Sequence, residues 1–162
     1  MIKKQHNFIG LLETILIIIL LIIIDQCSKI YISGIMLWYN FTSLNLLPFI
    51  DLVFVRNTGV SFGMFSDGGL LGRYFFSAFS ITVGTFLAFL AIITEKKWFK
   101  VSLSLISAGA LGNAIDRIYF GGVIDFIDFF IYNFHWPAFN LADVFITMGV
   151  FFLIIDSFVE NK

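Results

Sequence analysis

The stretch Tyr74–Ile93, YFFSAFSITVGTFLAFLAII, runs for 20 residues without a charge. Coiled into a helix at ~1.5 Å per residue it measures ~30 Å, the thickness of a bilayer's hydrocarbon core. Three more apolar segments flank it. Phe8 to Ile24 contains ten consecutive aliphatic residues from Ile15, and Val101–Ile115 and Leu141–Ile155 follow downstream. Single strands cannot cross lipid, because their backbone groups would stay unpaired, and no series of ten-residue alternating segments suggests a barrel. The pattern therefore predicts an all-α integral membrane protein with spans at about 8–24, 74–93, 101–117 and 140–156.

Composition agrees. Of 162 residues 59% are apolar and 13% charged, Phe occurs 22 times, and the mean hydropathy is +0.97. A soluble globule of this size must cover itself with polar groups, and this chain has too few to do so. The remaining arithmetic removes other classes. A net charge of -1 with ten Lys and Arg supplies no basic stripe for nucleic acid. One Cys and two His supply neither a disulfide framework nor a zinc site. No metal and no cofactor is expected.

Lys3 and Lys4 ahead of an apolar run, with Cys27 behind it, imitate a secretory signal. A lipoprotein signal would place a small residue before the Cys, whereas Gln26 stands there behind Asp25. The first segment is thus expected to remain as an anchor. Lys3, Lys4, Lys96, Lys97, Lys100 and Lys162 fall at the two termini and between the second and third spans, which the positive-inside rule makes cytoplasmic. The two outer loops are then 26–69 and 118–139. In the first, Asn40, Asn45 and Pro48 act as breakers. Phe49–Val55 reads as strand, Asn57-Thr58-Gly59 as a turn, and a second short strand runs through Phe65, suggesting a small extracytoplasmic β-cradle. The second is dense in aromatic residues from Phe120 to Phe139, which suits a helix or loop lying in the headgroup interface.

Polar residues gather at this outer level. Asp25 ends the first span there, Asn113, Asp116 and Arg117 end the third, Asp125 lies in the second outer loop and Asp143 opens the fourth span. Val144–Ile155 alone makes only ~18 Å of helix, so the last span begins before Asp143 and submerges it. By the same count Asn113 lies within the bilayer. An ionisable group there costs at least ~2.5–3.5 kcal/mol and ordinarily faces an interior cavity, so a functional site is the default reading.

Plainer readings exist beside it. Asn140 and Asp143 fit a helix cap with an acid at the third helical position. Asp116 and Arg117 fit an ion pair at a helix end. Ser104, Ala108 and Gly112, four residues apart, read as a close-packing stripe. Asn57 and Gly59 read as turn residues, and Glu13 can snorkel to the inner surface. His6 sits in the cytoplasmic tail and His135 alone among aromatics, neither with metal partners.

On spacing, either Asp125 or Asp128 can pair with Asp143. Two carboxylates sharing a low-dielectric site retain one proton near neutrality, which suits aspartic hydrolysis and a proton-coupled carrier equally. A non-catalytic scaffold is a third reading. A serine route is weaker: no Gly-x-Ser-x-Gly is present, and Ser28 and Lys29 would have to pair from a flexible loop. The metalloprotease motif His-Glu-x-x-His is absent.

Five ordered blocks carry a resemblance. They are Asp25-Gln26-Cys27-Ser28-Lys29, Asn57-Thr58-Gly59-Val60-Ser61-Phe62-Gly63, the decapeptide from Ala108 to Arg117 (AGALGNAIDR), Gly122-Val123-Ile124-Asp125-Phe126, and Pro137-Ala138-Phe139-Asn140-Leu141-Ala142-Asp143. Together they resemble the lipoprotein signal peptidases (signal peptidase II) of bacteria, over nearly the whole chain. The resemblance implies an aspartic endopeptidase of the bacterial inner membrane, with both termini cytoplasmic and its site near the periplasmic face. Its substrates would be diacylglyceryl-modified prolipoproteins, cut on the N-terminal side of the lipidated Cys. By position it implies Asp125 and Asp143 as the catalytic pair. It also implies Asp25, Lys29, Asn57, Gly59, Gly112, Asn113, Arg117 and Asn140 as substrate-binding or dyad-supporting residues. No cofactor is implied; membrane lipid is a partner, and one chain is expected to suffice. Ala108 departs from a common Gly and Val144 from a common Ser, both beside the dyad and not in it.

Overall fold

The computed structural model describes residues 2–59 and 69–160, with side chains described over 10–59 and 69–159. In chain order the elements are α1 (Ile2–Trp38), β1 (Leu44–Leu47), β2 (Ile50–Asn57), α2 (Gly69–Ile93), α3 (Lys97–Phe120), β3 (Val123–Ile131), β4 (Phe134–His135) and α4 (Leu141–Glu160).

Among the described residues three helices are long and apolar enough to cross a membrane: Gly10–Trp38, Gly69–Ile93 and Leu141–Val159. The expectation of four apolar spans is met by three. The 24 residues of α3 reach ~36 Å, ample in length. Ser102, Ser104, Ser107, Asn113, Asp116 and Arg117 lower its hydropathy, and all six are buried. The cause is position. α3 packs against α1, α2 and α4, so its polar groups meet protein and not lipid. Ser102 and Ser104 return their hydroxyls to carbonyls one turn back, whereas Ser107 donates across to the Gly84 carbonyl of α2 at 2.8 Å.

α1 corrects the reading of a first span ending at Ile24. The helix continues for 14 residues to Trp38, so Asp25 and Lys29 lie one turn apart in mid-helix. Nothing from Gln26 to Trp38 breaks it, and the two charges neutralise each other across the turn at 2.8 Å. The stop comes at Asn40, as read from the sequence. Asn40 and Phe41 adopt φ of 53° and 59°, and the Phe41 N–H turns back onto the Met36 carbonyl at 2.7 Å.

The strands form one antiparallel sheet in the order β1-β2-β3-β4. The expected strand near Phe49–Val55 is β2. The expected second strand through Phe65 falls mostly outside the described residues. For 118–139 the expectation of an interfacial helix or loop is corrected: Val-Ile-Asp-Phe-Ile-Asp-Phe-Phe-Ile makes β3, the strand that pairs with β2. Its β-branched and aromatic residues favour a pleated, half-buried surface. The Phe126 and Ile127 N–H groups both donate to the Phe139 carbonyl, at 3.0 and 2.9 Å, lashing β3 to the segment that leads into α4.

The inner helices touch closely. A Cβ on Gly109 would stand 2.3 Å from the Ala142 carbonyl oxygen in the first turn of α4. Gly109→Ala is therefore expected to push α4 outward and to destabilise the fold by about 1–3 kcal/mol, as overpacking does. Thermal unfolding in detergent checks this; an unchanged midpoint would show that α4 yields without strain.

Candidate active site

β3 and α4 each deliver one carboxylate to the same place. Asp125 is buried in the first half of β3, and Asp143 lies in the first turn of α4. Between them stands Asn140, fully buried, just before α4. Its Nδ2 donates to Asp125 Oδ1 at 2.7 Å and to Asn113 Oδ1 at 3.2 Å. Its Oδ1 accepts the Asp143 N–H at 3.1 Å, while its own N–H donates to Asp143 Oδ2 at 3.2 Å. That reciprocal pair is a capping box. The capping reading and the functional reading of these two residues are thus compatible: the cap fixes the rotamer of Asp143, leaving Oδ1 to accept from Asn113 Nδ2 at 2.9 Å.

Asp125 is held from its other side. Asn57, the last residue of β2, donates from Nδ2 to Asp125 Oδ2 at 3.1 Å, and its Oδ1 accepts the Gly59 N–H at 3.1 Å. The turn expected at Asn57–Gly59 is therefore present and touches the carboxylate. Asp128 goes elsewhere. Three positions along a strand put it on the opposite face from Asp125, where it meets His135 Nδ1 at 2.7 Å. His135 is thus not alone: it pairs with Asp128 and stacks on Phe130.

Arg117 and Asp116 do not form the helix-end pair. Arg117 donates to the carbonyls of Gly59 at 2.9 Å and Asn113 at 3.3 Å. Asp116 joins a second cluster behind the two carboxylates. Lys29 Nζ lies 2.8 Å from Asp25 Oδ2, 2.8 Å from Asp116 Oδ2 and 3.1 Å from Asn113 Oδ1. Asp25 Oδ1 accepts the Ala142 N–H of α4 at 2.9 Å, and Asp116 Oδ2 accepts the Ile124 N–H of β3 at 3.1 Å. Gln26 Nε2 donates to Asp116 Oδ1 at 2.9 Å. Gly112 leaves room for this cluster, since a Cβ there would stand 2.7 Å from Asp25 Oδ2. Lys29 is consequently committed to an ion cluster and Ser28 to the Asp25 carbonyl, so no Ser–Lys pair forms.

Sequence reasoning missed Gln26 and Asp116 as members of this assembly. Asp116 stood in a quoted block, but its helix-end position suggested Arg117 as partner. The signal for Gln26 was hidden by ending the first helix at Ile24.

Asp125, Asp143, Asn57, Asn113 and Arg117 all line a cavity of about 680 Å³. Its remaining wall is largely apolar, with Phe76, Phe79 and Val83 from α2 facing Val144, Thr147 and Met148 from α4. Burial, and secondarily the neighbouring Asp143 charge, push the Asp125 carboxyl up to about 7. The sign follows: folding favours the protonated form, so this group's contribution to stability falls as pH rises from 3.8 to about 7. Chemically, the arrangement sets two carboxyl groups, that of Asp125 raised toward neutrality, at the wall of a largely apolar cavity.

Known proteins are similar to this chain in sequence and fold. The sequence model described as Signal peptidase (SPase) II matches residues 17–159. A lipoprotein signal peptidase of Thermodesulfovibrio yellowstonii is 44% identical over 144 residues, covering 86% of this chain and 90% of the relative. One of Cupriavidus pinatubonensis is 41% identical over 139 residues, covering 85% and 78%. A bacterial membrane enzyme solved by the in meso method at 2.3 Å superimposes with a TM-score of 0.75 at 32% identity, covering 93% of this chain and 90% of that one. With a family match over most of its length, relatives above 40% identity and a shared fold, this chain belongs to the signal peptidase II family.

Proposed function

We propose that the chain is an aspartic endopeptidase working within the membrane. It removes the signal peptide from diacylglyceryl-modified prolipoproteins and cuts N-terminal to the lipidated Cys. The observation that carries this is the single Asn140 side chain and backbone bridging Asp125 and Asp143 at the head of an apolar cavity. Family membership favours hydrolysis over the proton-coupled carrier that two buried carboxylates would equally suit.

In this proposal α3 is the fourth crossing, both termini are cytoplasmic, and the dyad lies just below the outer headgroups. The signal helix occupies the groove between α2 and α4, and the lipid on the Cys keeps the scissile bond at the level of the site. Asp125, pushed up to about 7, starts protonated, and Asp143 acts as the base. Asp143 takes a proton from water as its oxygen bonds to the scissile carbonyl carbon, while Asp125 gives its proton to the carbonyl oxygen. The tetrahedral diol then collapses. Asp143 protonates the departing amine as the C–N bond breaks, and a hydroxyl proton returns to Asp125. Arg117 lines the same cavity and is placed to orient the substrate backbone.

The test is a gel-shift assay in reconstituted vesicles with a diacylglyceryl-modified precursor. Release of the signal peptide with the lipid left on the product's N-terminal Cys supports the proposal. pH-driven flux without cleavage would replace it with the carrier.

A further inference from the structure

Asn113 carries an amide whose two ends are told apart by their partners. Lys29 Nζ and Asn140 Nδ2 are donors only, and both approach Asn113 Oδ1, at 3.1 and 3.2 Å. Asp143 Oδ1 lies 2.9 Å from Asn113 Nδ2. A flipped amide would turn an N–H2 toward an ammonium and a second N–H2, and an oxygen toward a carboxylate. Three contacts would be lost at once in a buried site. Lys29 is the charged member of this set and is nearly inaccessible. Its three N–H groups are spent on Asp25, Asp116 and Asn113. From Asn113 the polarity passes to both dyad members: directly to Asp143, and to Asp125 through Asn140, whose Nδ2 bridges Asn113 Oδ1 and Asp125 Oδ1.

We propose that Lys29 is a positioning residue for hydrolysis, acting through Asn113: by pinning Asn113 Oδ1 it fixes the direction of the hydrogen bonds that hold Asp143 and, through Asn140, Asp125. The inference rests on the peptidase reading above. Asp25 and Asp116 supply the counter-charge that keeps the ammonium in place, and each also holds another element, Asp25 the start of α4 and Asp116 the start of β3. Lys29 itself is absent from the cavity wall that meets substrate. Its removal should therefore change kcat and leave KM alone.

A double-mutant cycle tests this. Lys29→Met and Asn113→Ala are made singly and together, and cleavage of a diacylglyceryl-modified precursor is followed in vesicles. Because Lys29→Met strands two buried carboxylates, the cycle is repeated with Lys29→Met/Asp25→Asn, which removes the cation with one of its counter-charges. Unfolding in detergent identifies the variants that remain folded. The expected result is a loss of kcat of about 100-fold on removing the cation, KM within about 2-fold, and less than about 3-fold further loss when Asn113 is already Ala. Multiplying losses, or a rise in KM matching the fall in activity, would overturn the positioning role while leaving the peptidase reading intact. Failure of the unmutated protein to cleave would instead overturn the peptidase reading.

Discussion

Asp125→Asn and Asp143→Asn are each expected to abolish signal-peptide cleavage, by at least ~1000-fold, while the protein still inserts and folds. Asn keeps the shape of Asp and can satisfy most of the same neighbours. At position 143 the side-chain oxygen can still accept the Asn140 N–H of the capping box, so the start of α4 survives. Neither amide can take a proton from water or hand one to a carbonyl oxygen. Folding and chemistry thus separate at these positions, which is unusual for buried groups. Asp128→Asn is the internal comparison: Asp128 lies on the other face of β3 against His135, outside the cavity. It should retain activity within a few-fold of the unmutated protein. Quantifying cleaved and uncleaved lipidated precursor on a gel checks all three.

The second large effect concerns Asn140. Asn140→Ala removes the cap of α4, worth ~0.5–2 kcal/mol, and with it the donor that reaches Asp125 at 2.7 Å. We expect kcat to fall about 100–1000-fold, between the loss of a positioning contact and that of a proton-transfer group. Asn140→Ser separates the two roles. A serine hydroxyl caps a helix as well as Asn does, so thermal stability in detergent should return toward that of the unmutated protein. Serine cannot bridge to Asp125 and Asn113 together, so activity should stay low. If the serine variant recovered stability and activity in parallel, Asn140 would be a cap and nothing more.

Much of this was legible in the sequence, and the limits were physical. α2 and α4 cover the apolar runs read at 74–93 and 141–155, because ~30 Å of hydrocarbon demands length and apolarity that few other structures require. α3 is less apolar than the other three long helices, since its burial among them frees it to carry Asn113, Asp116 and Arg117. The end of α1 was misread for the same reason in reverse. A charge at Asp25 looks like a membrane boundary until Lys29 and Asp116 are known to neutralise it. β3 was hidden by its aromatic content, which suits an interface as well as a strand. Position on the strand separates the two residues that spacing left equal: Asp125 and Asp128 point to opposite faces, and of the two Asp125 lines the cavity with Asp143. The cluster of Gln26, Asp25, Lys29 and Asp116 joins residues some 90 positions apart, and no local pattern links them.

The central claim is that the two carboxylates work as a pair holding one proton. The pH dependence of kcat/KM for a lipidated precursor tests it most directly, because it reports the ionisation of the free enzyme. With the Asp125 carboxyl pushed up to about 7, activity should fall above that pH, about tenfold per unit, as the proton is lost. Activity that stayed level from pH 6 to about 9, two units past the expected loss, would contradict a catalytic proton held on this pair.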